Sequence, residues 1–231
     1  MSGNVINRGG SDPERLYLQD MQFAMPDGVI VVVKATNIKD VDMPDLVARH
    51  KARYYQVGLF CRPKNIVLDF PCGSGYAAEV LRPLGVNYEG LELDSFTVGY
   101  AHWLYGYGSV TTKFADGDLR YPHMEKEWYD VIGCIEGLEH IDMEFQDPLI
   151  AAFKEALKPG GVLVVSSPEN PTGVSGKSAH NQYHLGELTR ADFLALLHRH
   201  FPSDSVELVT HRAVLSTDVL TTCFYGICHK Q

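Results

Sequence analysis

Ile66-Val-Leu-Asp-Phe-Pro-Cys-Gly-Ser-Gly-Tyr76 decides the reading of this chain. An apolar run ends on a carboxylate, Asp69, and two glycines, Gly73 and Gly75, precede a helix-like run over 77–84. Glycines between a strand and a helix let a ligand approach the backbone, and the helix start beyond them presents unpaired N–H groups to an anion. Gly73-Ser-Gly75-Tyr-Ala-Ala78 satisfies the loose dinucleotide pattern with alanine in last place. Asp69 argues for another ligand. A carboxylate beside the turn repels a pyrophosphate and suits positive charge, such as an ammonium or a sulfonium.

The segments downstream extend the pattern. A short apolar strand over 86–91 closes on Glu92, seventeen residues past Gly75. An acidic residue about 20 positions on is where a ribose diol is usually held. Asp118 follows in Phe114-Ala-Asp-Gly-Asp-Leu119, a fourth strand spans 128–134, and Leu157-Lys-Pro-Gly-Gly161 announces a fifth over 162–166. With these motifs in order from about His50 to the C-terminus, the chain resembles the class I S-adenosylmethionine-dependent methyltransferases.

The resemblance implies a doubly wound α/β fold: a seven-stranded, mostly parallel sheet with an antiparallel terminal hairpin and helices on both faces. It implies S-adenosylmethionine as cofactor and S-adenosylhomocysteine as product. Asp69, Gly73 and Gly75 would form the turn around the methionine part. Glu92, with Leu93 beside it, would hold the ribose hydroxyls, and Asp118 with the Leu119 backbone would read the adenine. Cys134, ending the fourth strand, would lie beside the transferable methyl. Pro71 stands where the family usually has glycine; it removes an N–H and fixes φ, which stiffens the turn.

Two segments carry the expected chemistry. Cys134-Ile-Glu136-Gly-Leu-Glu139-His140 follows the fourth strand directly. An acceptor often needs a base for its proton, and His140 is the candidate, with Glu139 beside it. The same Glu-x-x-Glu-His looks like the metal-binding motif of ubiquinone-biosynthesis O-methyltransferases and small-RNA 2′-O-methyltransferases. Spacing reveals no further ligands, so the base is preferred and no metal is assigned. The second segment runs from Ser166-Ser-Pro-Glu-Asn170 to Tyr183-His184-Leu-Gly-Glu187. It resembles the Asn-Pro…His…Glu element of sugar- and polyketide-tailoring methyltransferases. About 20 residues without evident secondary structure read as a functional loop, and His184 is a second candidate base or acceptor-site residue.

Composition agrees with one enzyme core. The 231 residues carry Lys+Arg 20 against Asp+Glu 29, a net charge of −9, with no basic run. A phosphate-backbone grip normally needs a basic face, so no nucleic-acid partner is expected. Five scattered cysteines, odd in number, suggest reduced thiols and a cytoplasmic setting. No apolar run is long enough to span a membrane and no signal peptide is seen.

Residues 1–60 read as an appendage to the methyltransferase-like region over 61–231. The opening 13 residues look loose. Met21–Met25, Pro26-Asp-Gly28 and Val29–Lys34 read as a hairpin, which could cover the substrate, extend the sheet or form a homodimer surface. Residues 44–60 read as a helix with Asp42 or Asp45 near its start; in the resembled family this helix lies over the cofactor, and Tyr54 is its candidate lid. Further helices are expected with Ser95 as cap, from Asp147-Pro148, and from Thr189.

The residues after the fourth strand narrow the acceptor. Enzymes methylating nucleobase amines carry Asp/Asn-Pro-Pro-aromatic there; this chain has Cys134-Ile-Glu-Gly137. O-methylation of a small molecule or sugar is the first expectation, and N-methylation of a small amine the alternative. A non-catalytic adenosylmethionine-binding partner protein is a reading from another class. A dehydrogenase is opposed by Asp69.

Overall fold

The computed structural model describes residues 5–10, 15–214 and 220–231. Seven strands form the main sheet: β4 (Ile66–Asp69), β5 (Asn87–Glu92), β6 (Thr112–Asp116), β7 (Tyr129–Cys134), β8 (Leu157–Pro168), β9 (Val206–Val214) and β10 (Leu220–His229). Their order is β6-β5-β4-β7-β8-β10-β9. β4 through β8 pair in parallel, and β10 runs antiparallel to both β8 and β9. This is the expected doubly wound sheet with its reversed terminal hairpin.

The central strands are buried on both faces, and their side chains alternate between two cores. Leu68, Ile132, Cys134, Leu163 and Val165 pack with α4 (Met143–Ala156) and α5 (Arg190–His198). Val67, Val131, Val162 and Val164 pack on the other side with α1 (Met43–Gly58) and α2 (Ala77–Leu81). Burial on both faces explains the continuous apolar stretches Ile66–Leu68 in β4, Val131–Ile132 in β7 and Val162–Val165 in β8.

Gly75 shows why the turn after β4 needs glycine. Its φ is +81°, and a Cβ there would meet Ala101 Cβ at 2.7 Å and the Phe114 ring at 2.8 Å. α3 (Ser95–Ala101) and β6 supply this close packing. The Phe70–Pro71 peptide is cis.

Several boundaries differ from the sequence expectation. α4 begins at Met143, not at Asp147-Pro148, and carries Pro148 inside it. Pro148 stands in the second turn, where its missing N–H leaves the Glu144 carbonyl without its i+4 donor. Asp94, not Ser95, caps α3, its carboxylate accepting from Phe96 N at 3.1 Å. Asp42 caps α1, and Thr189 caps α5 as expected.

The opening segment is not loose throughout. β1 (Val5–Gly9) pairs in parallel with β3 (Ile30–Lys34), which also takes the expected hairpin partner β2 (Met21–Ala24). Val31, Val33, Phe23 and Tyr17 form a small core with Tyr100 of α3, so the appendage is packed onto the main body. Met1–Asn4 and Ser11–Glu14 lie outside the described residues. The 168–186 loop is also more ordered than its composition suggests, with bridges Glu169–Leu188 and Gly176–Glu187.

Candidate active site

The carboxyl ends of β4, β5 and β7 open into a cavity of about 1140 Å³, lined at one end by Gly73, Glu92 and Asp118 and at the other by Glu139, His140 and His184. The strand-end position follows from topology: the chain order reverses between β4 and β7, and ligands bind outside the strand termini at such a point.

At the first end, Glu92 is 5% exposed and accepts from Gly73 N at 3.2 Å, Asp94 N at 3.1 Å and Arg15 Nη2 at 3.2 Å. Leu93 and Leu119 line the cavity beside Glu92 and Asp118. Arg120 grips Asp118 through two hydrogen-bonded edges, 2.9 and 2.6 Å, and this contact first of all holds the Asp118 carboxyl below its usual range. Pro71 lines the cavity as well and packs beneath Gly137, where a Cβ would come within 2.2 Å of its Cδ.

Three residues of the expected cofactor set lie behind this wall. Gly75 packs against α3 as described above. Asp69 is buried and accepts hydroxyl hydrogen bonds from Tyr88 at 2.6 Å and Tyr54 at 3.2 Å. Burial pushes its carboxyl up to about 7 despite those two donors. Tyr54 stands between Asp69 and the cavity, which it lines. Cys134 is fully buried and does not line the cavity, and burial drives its thiol well above the usual range, so it is no nucleophile.

At the second end, Glu136 sits at a positive φ of 50°. It accepts from Ser166 Oγ at 2.7 Å and faces Arg53 Nη2 at 3.5 Å. Its carboxylate is thus engaged by Ser166 and Arg53. Glu139 is 1% exposed, and burial with nearby Glu136 pushes its carboxyl well up. The loop after β8 returns here: Leu185 N and Gly186 N both donate to Glu139 O, at 2.7 and 3.0 Å. That clasp brings the His184 ring edge-on to His140, with centroids 4.9 Å apart, while His140 Nδ1 lies 3.2 Å from Tyr183 O.

A divalent ion, which the Glu-x-x-Glu-His resemblance implies, fits a donor set other than the one that spacing suggests. Glu136 is engaged elsewhere. Glu139, His140 and His184 each offer a ligand atom, all within 4.8 Å of one another, and Glu139 Oε2 is buried without a hydrogen-bond partner among the described residues.

The "Methyltransferase domain" family model matches residues 40–213. The chain belongs to the methyltransferase domain family. Among its relatives, a "probable S-adenosylmethionine-dependent methyltransferase" of Mycolicibacterium smegmatis is 29% identical over 150 residues, covering 64% of this chain and 56% of that protein. A ubiquinone biosynthesis O-methyltransferase of Hydrogenovibrio crunogenus is 33% identical over 105 residues, 44% of this chain and 42% of that one. The chain thus spans about half the length of the curated relatives it matches. The [4+2]-cyclase SpnF superposes with a TM-score of 0.65 at 14% identity, over 84% of this chain and 85% of that chain. A shared fold with a cyclase means that the reaction must be argued from the site.

Arg15 and Arg53 escaped the sequence reading. Arg53 falls within the expected helix over 44–60, but nothing local points to its partner Glu136; Arg15 carries no signal at all. Arg15 bears on the expected cofactor. A carboxylate offers about four lone-pair sites, and Glu92 already spends three on Gly73, Asp94 and Arg15. If Glu92 held a ribose diol, as the resemblance implies, two further donors would displace one partner, and Arg15 is the only one of the three that is a side chain. Arg15→Ala is expected to tighten adenosylhomocysteine binding a few-fold, about the worth of a half-exposed ion pair. Calorimetry showing weaker binding would mean that Arg15 holds the cofactor instead.

Proposed function

We propose that this enzyme transfers the methyl group of S-adenosylmethionine to a hydroxyl of a small-molecule acceptor. The cavity carries the reading: it joins the Gly73–Glu92–Asp118 end to the Glu139–His140–His184 end. Its volume exceeds the roughly 300–1,000 Å³ of a typical single-ligand pocket, which leaves room for an acceptor beside the cofactor.

In the reaction an acceptor oxygen lone pair attacks the methyl carbon, and the carbon–sulfur bond breaks. The sulfonium becomes a neutral thioether, and the acceptor's proton passes to a base. His140 is that base, held at the end of β7 by the Gly137 turn. Alignment of the oxygen opposite sulfur supplies much of the remaining rate. A second reading is favoured by the Glu139–His140–His184 grouping. These residues would hold a divalent ion, which when bound supplies Lewis acidity to the acceptor oxygen.

The test is incubation with adenosylmethionine and a panel of phenols, sugars and amines, with products resolved by mass spectrometry. Methylated hydroxyl compounds are the expected outcome. Methylation confined to amines would move the reading to N-methyl transfer. Tight adenosylhomocysteine binding with no product from any acceptor would favour a non-catalytic binding partner.

A further inference from the structure

His184 and Glu187 form a pair that the proton-transfer chemistry does not use. Glu187 is 5% exposed, and its Oε1 lies 2.7 Å from His184 Nδ1. Its other oxygen, Oε2, is buried with no hydrogen-bond partner among the described residues. The backbone holding this carboxylate is fixed from two sides. Glu187 exchanges hydrogen bonds with Gly176, 2.9 Å in each direction, and Gln146 Nε2 ties Gly186 O at 2.7 Å to Leu138 O at 3.0 Å. The His184 loop and the turn carrying Glu139 and His140 are therefore one clasped unit.

An imidazole has two nitrogens, and the hydrogen bond made by one sets the state of the other. When Nδ1–H donates to a carboxylate, Nε2 keeps its lone pair and is left as the nitrogen for a ligand. Histidines that bind metals are oriented in this way by an outer carboxylate, which also raises their basicity. A purely bracing role for the pair would not require that His184 also offer an atom within 4.8 Å of ligand atoms on Glu139 and His140.

We propose that Glu187 is a positioning residue for a divalent transition-metal site formed by Glu139, His140 and His184, acting by holding His184 with Nε2 toward the ion. The proposal rests on the metal reading of the site given above. One carboxylate with two imidazoles suits manganese, iron, cobalt or zinc better than calcium or magnesium, which prefer oxygen donors.

The test titrates Co²⁺ into the metal-stripped 231-residue chain, followed by visible absorption, with adenosylhomocysteine calorimetry on the same samples. Wild type should bind one equivalent with a visible band, and His184→Ala should lose it. Glu187→Ala should weaken Co²⁺ by about 10- to 100-fold. Glu187→Gln, which keeps an oxygen acceptor for Nδ1, should fall between. Adenosylhomocysteine affinity should be unchanged in all three variants. Glu187→Ala binding Co²⁺ as tightly as wild type would overturn the proposal, as would a wild type that takes up no Co²⁺. If Glu187→Ala fails to fold, Glu187→Gln decides: weaker binding supports the role and wild-type binding refutes it. A wild type that binds adenosylhomocysteine but no Co²⁺ sinks only the metal proposal. One that binds neither sinks the reading of the cleft as well.

Discussion

His140→Ala is expected to lower the methyl-transfer rate by roughly 100- to 10,000-fold, the usual worth of a positioned general base, with adenosylhomocysteine affinity nearly unchanged. The separation follows from geometry. On the proposed reading His140, which meets Tyr183 and His184, faces the acceptor, whereas Glu92 and Asp118 hold the cofactor. Single-turnover kinetics on cofactor-saturated enzyme reads the chemical step directly. A chelator then divides the two roles: a base is indifferent to it, whereas a metal site loses activity and regains it with a divalent ion. His184→Ala should follow His140→Ala if the two rings share an ion, and should have a smaller effect if His140 acts alone. Near wild-type transfer in His140→Ala would remove both roles and leave alignment of the acceptor as the source of rate.

Much of this arrangement was legible in the sequence, for identifiable reasons. The glycines, the strand-end acids and the alternating helices and strands are local signals that the parallel sheet requires, and they located the cleft. The acceptor end was legible only in part. His184 reaches His140 through backbone bonds from Leu185 and Gly186 to Glu139 O, and no spacing rule reports a loop's return. Glu136 and Glu139 sit in one motif, but the positive φ at Glu136 turns its side chain to Ser166 and Arg53. β1 escaped because Val5-Ile-Asn-Arg-Gly9 is an edge strand with exposed or half-buried side chains, and so lacks a clear apolar alternation. Asp94 outcompeted Ser95 as the α3 cap because both types cap well and only the backbone entry angle chooses.

Asp69→Asn is expected to stabilise the ligand-free protein above neutral pH while weakening its hold on the cofactor. In the folded protein burial raises the Asp69 carboxyl to about 7, against an ordinary value of 3.8. The unfolded chain gives up this proton first. Stability from this group is thus complete below about 3.8, falls as pH rises toward 7, and levels above it. The full decline is on the order of 4 kcal/mol. Glu139 shifts in the same direction, whereas Asp118, Asp147 and Asp192 are lowered and lose their contribution only in acid. Comparing the variant with wild type cancels these others. Asparagine keeps an acceptor for Tyr54 or Tyr88 and carries no charge to bury, so Tm at pH 8 should rise by several degrees and its slope between pH 4 and 8 should flatten. If Asp69 acts on the cofactor's positive charge through Tyr54, as the resemblance implies, adenosylmethionine affinity at pH 8 should fall. Such opposition marks a residue retained for ligand binding at the expense of the fold. Parallel Tm–pH curves for the two proteins would show that Asp69 holds no extra proton. Unchanged cofactor affinity would show that its charge serves only the two tyrosines.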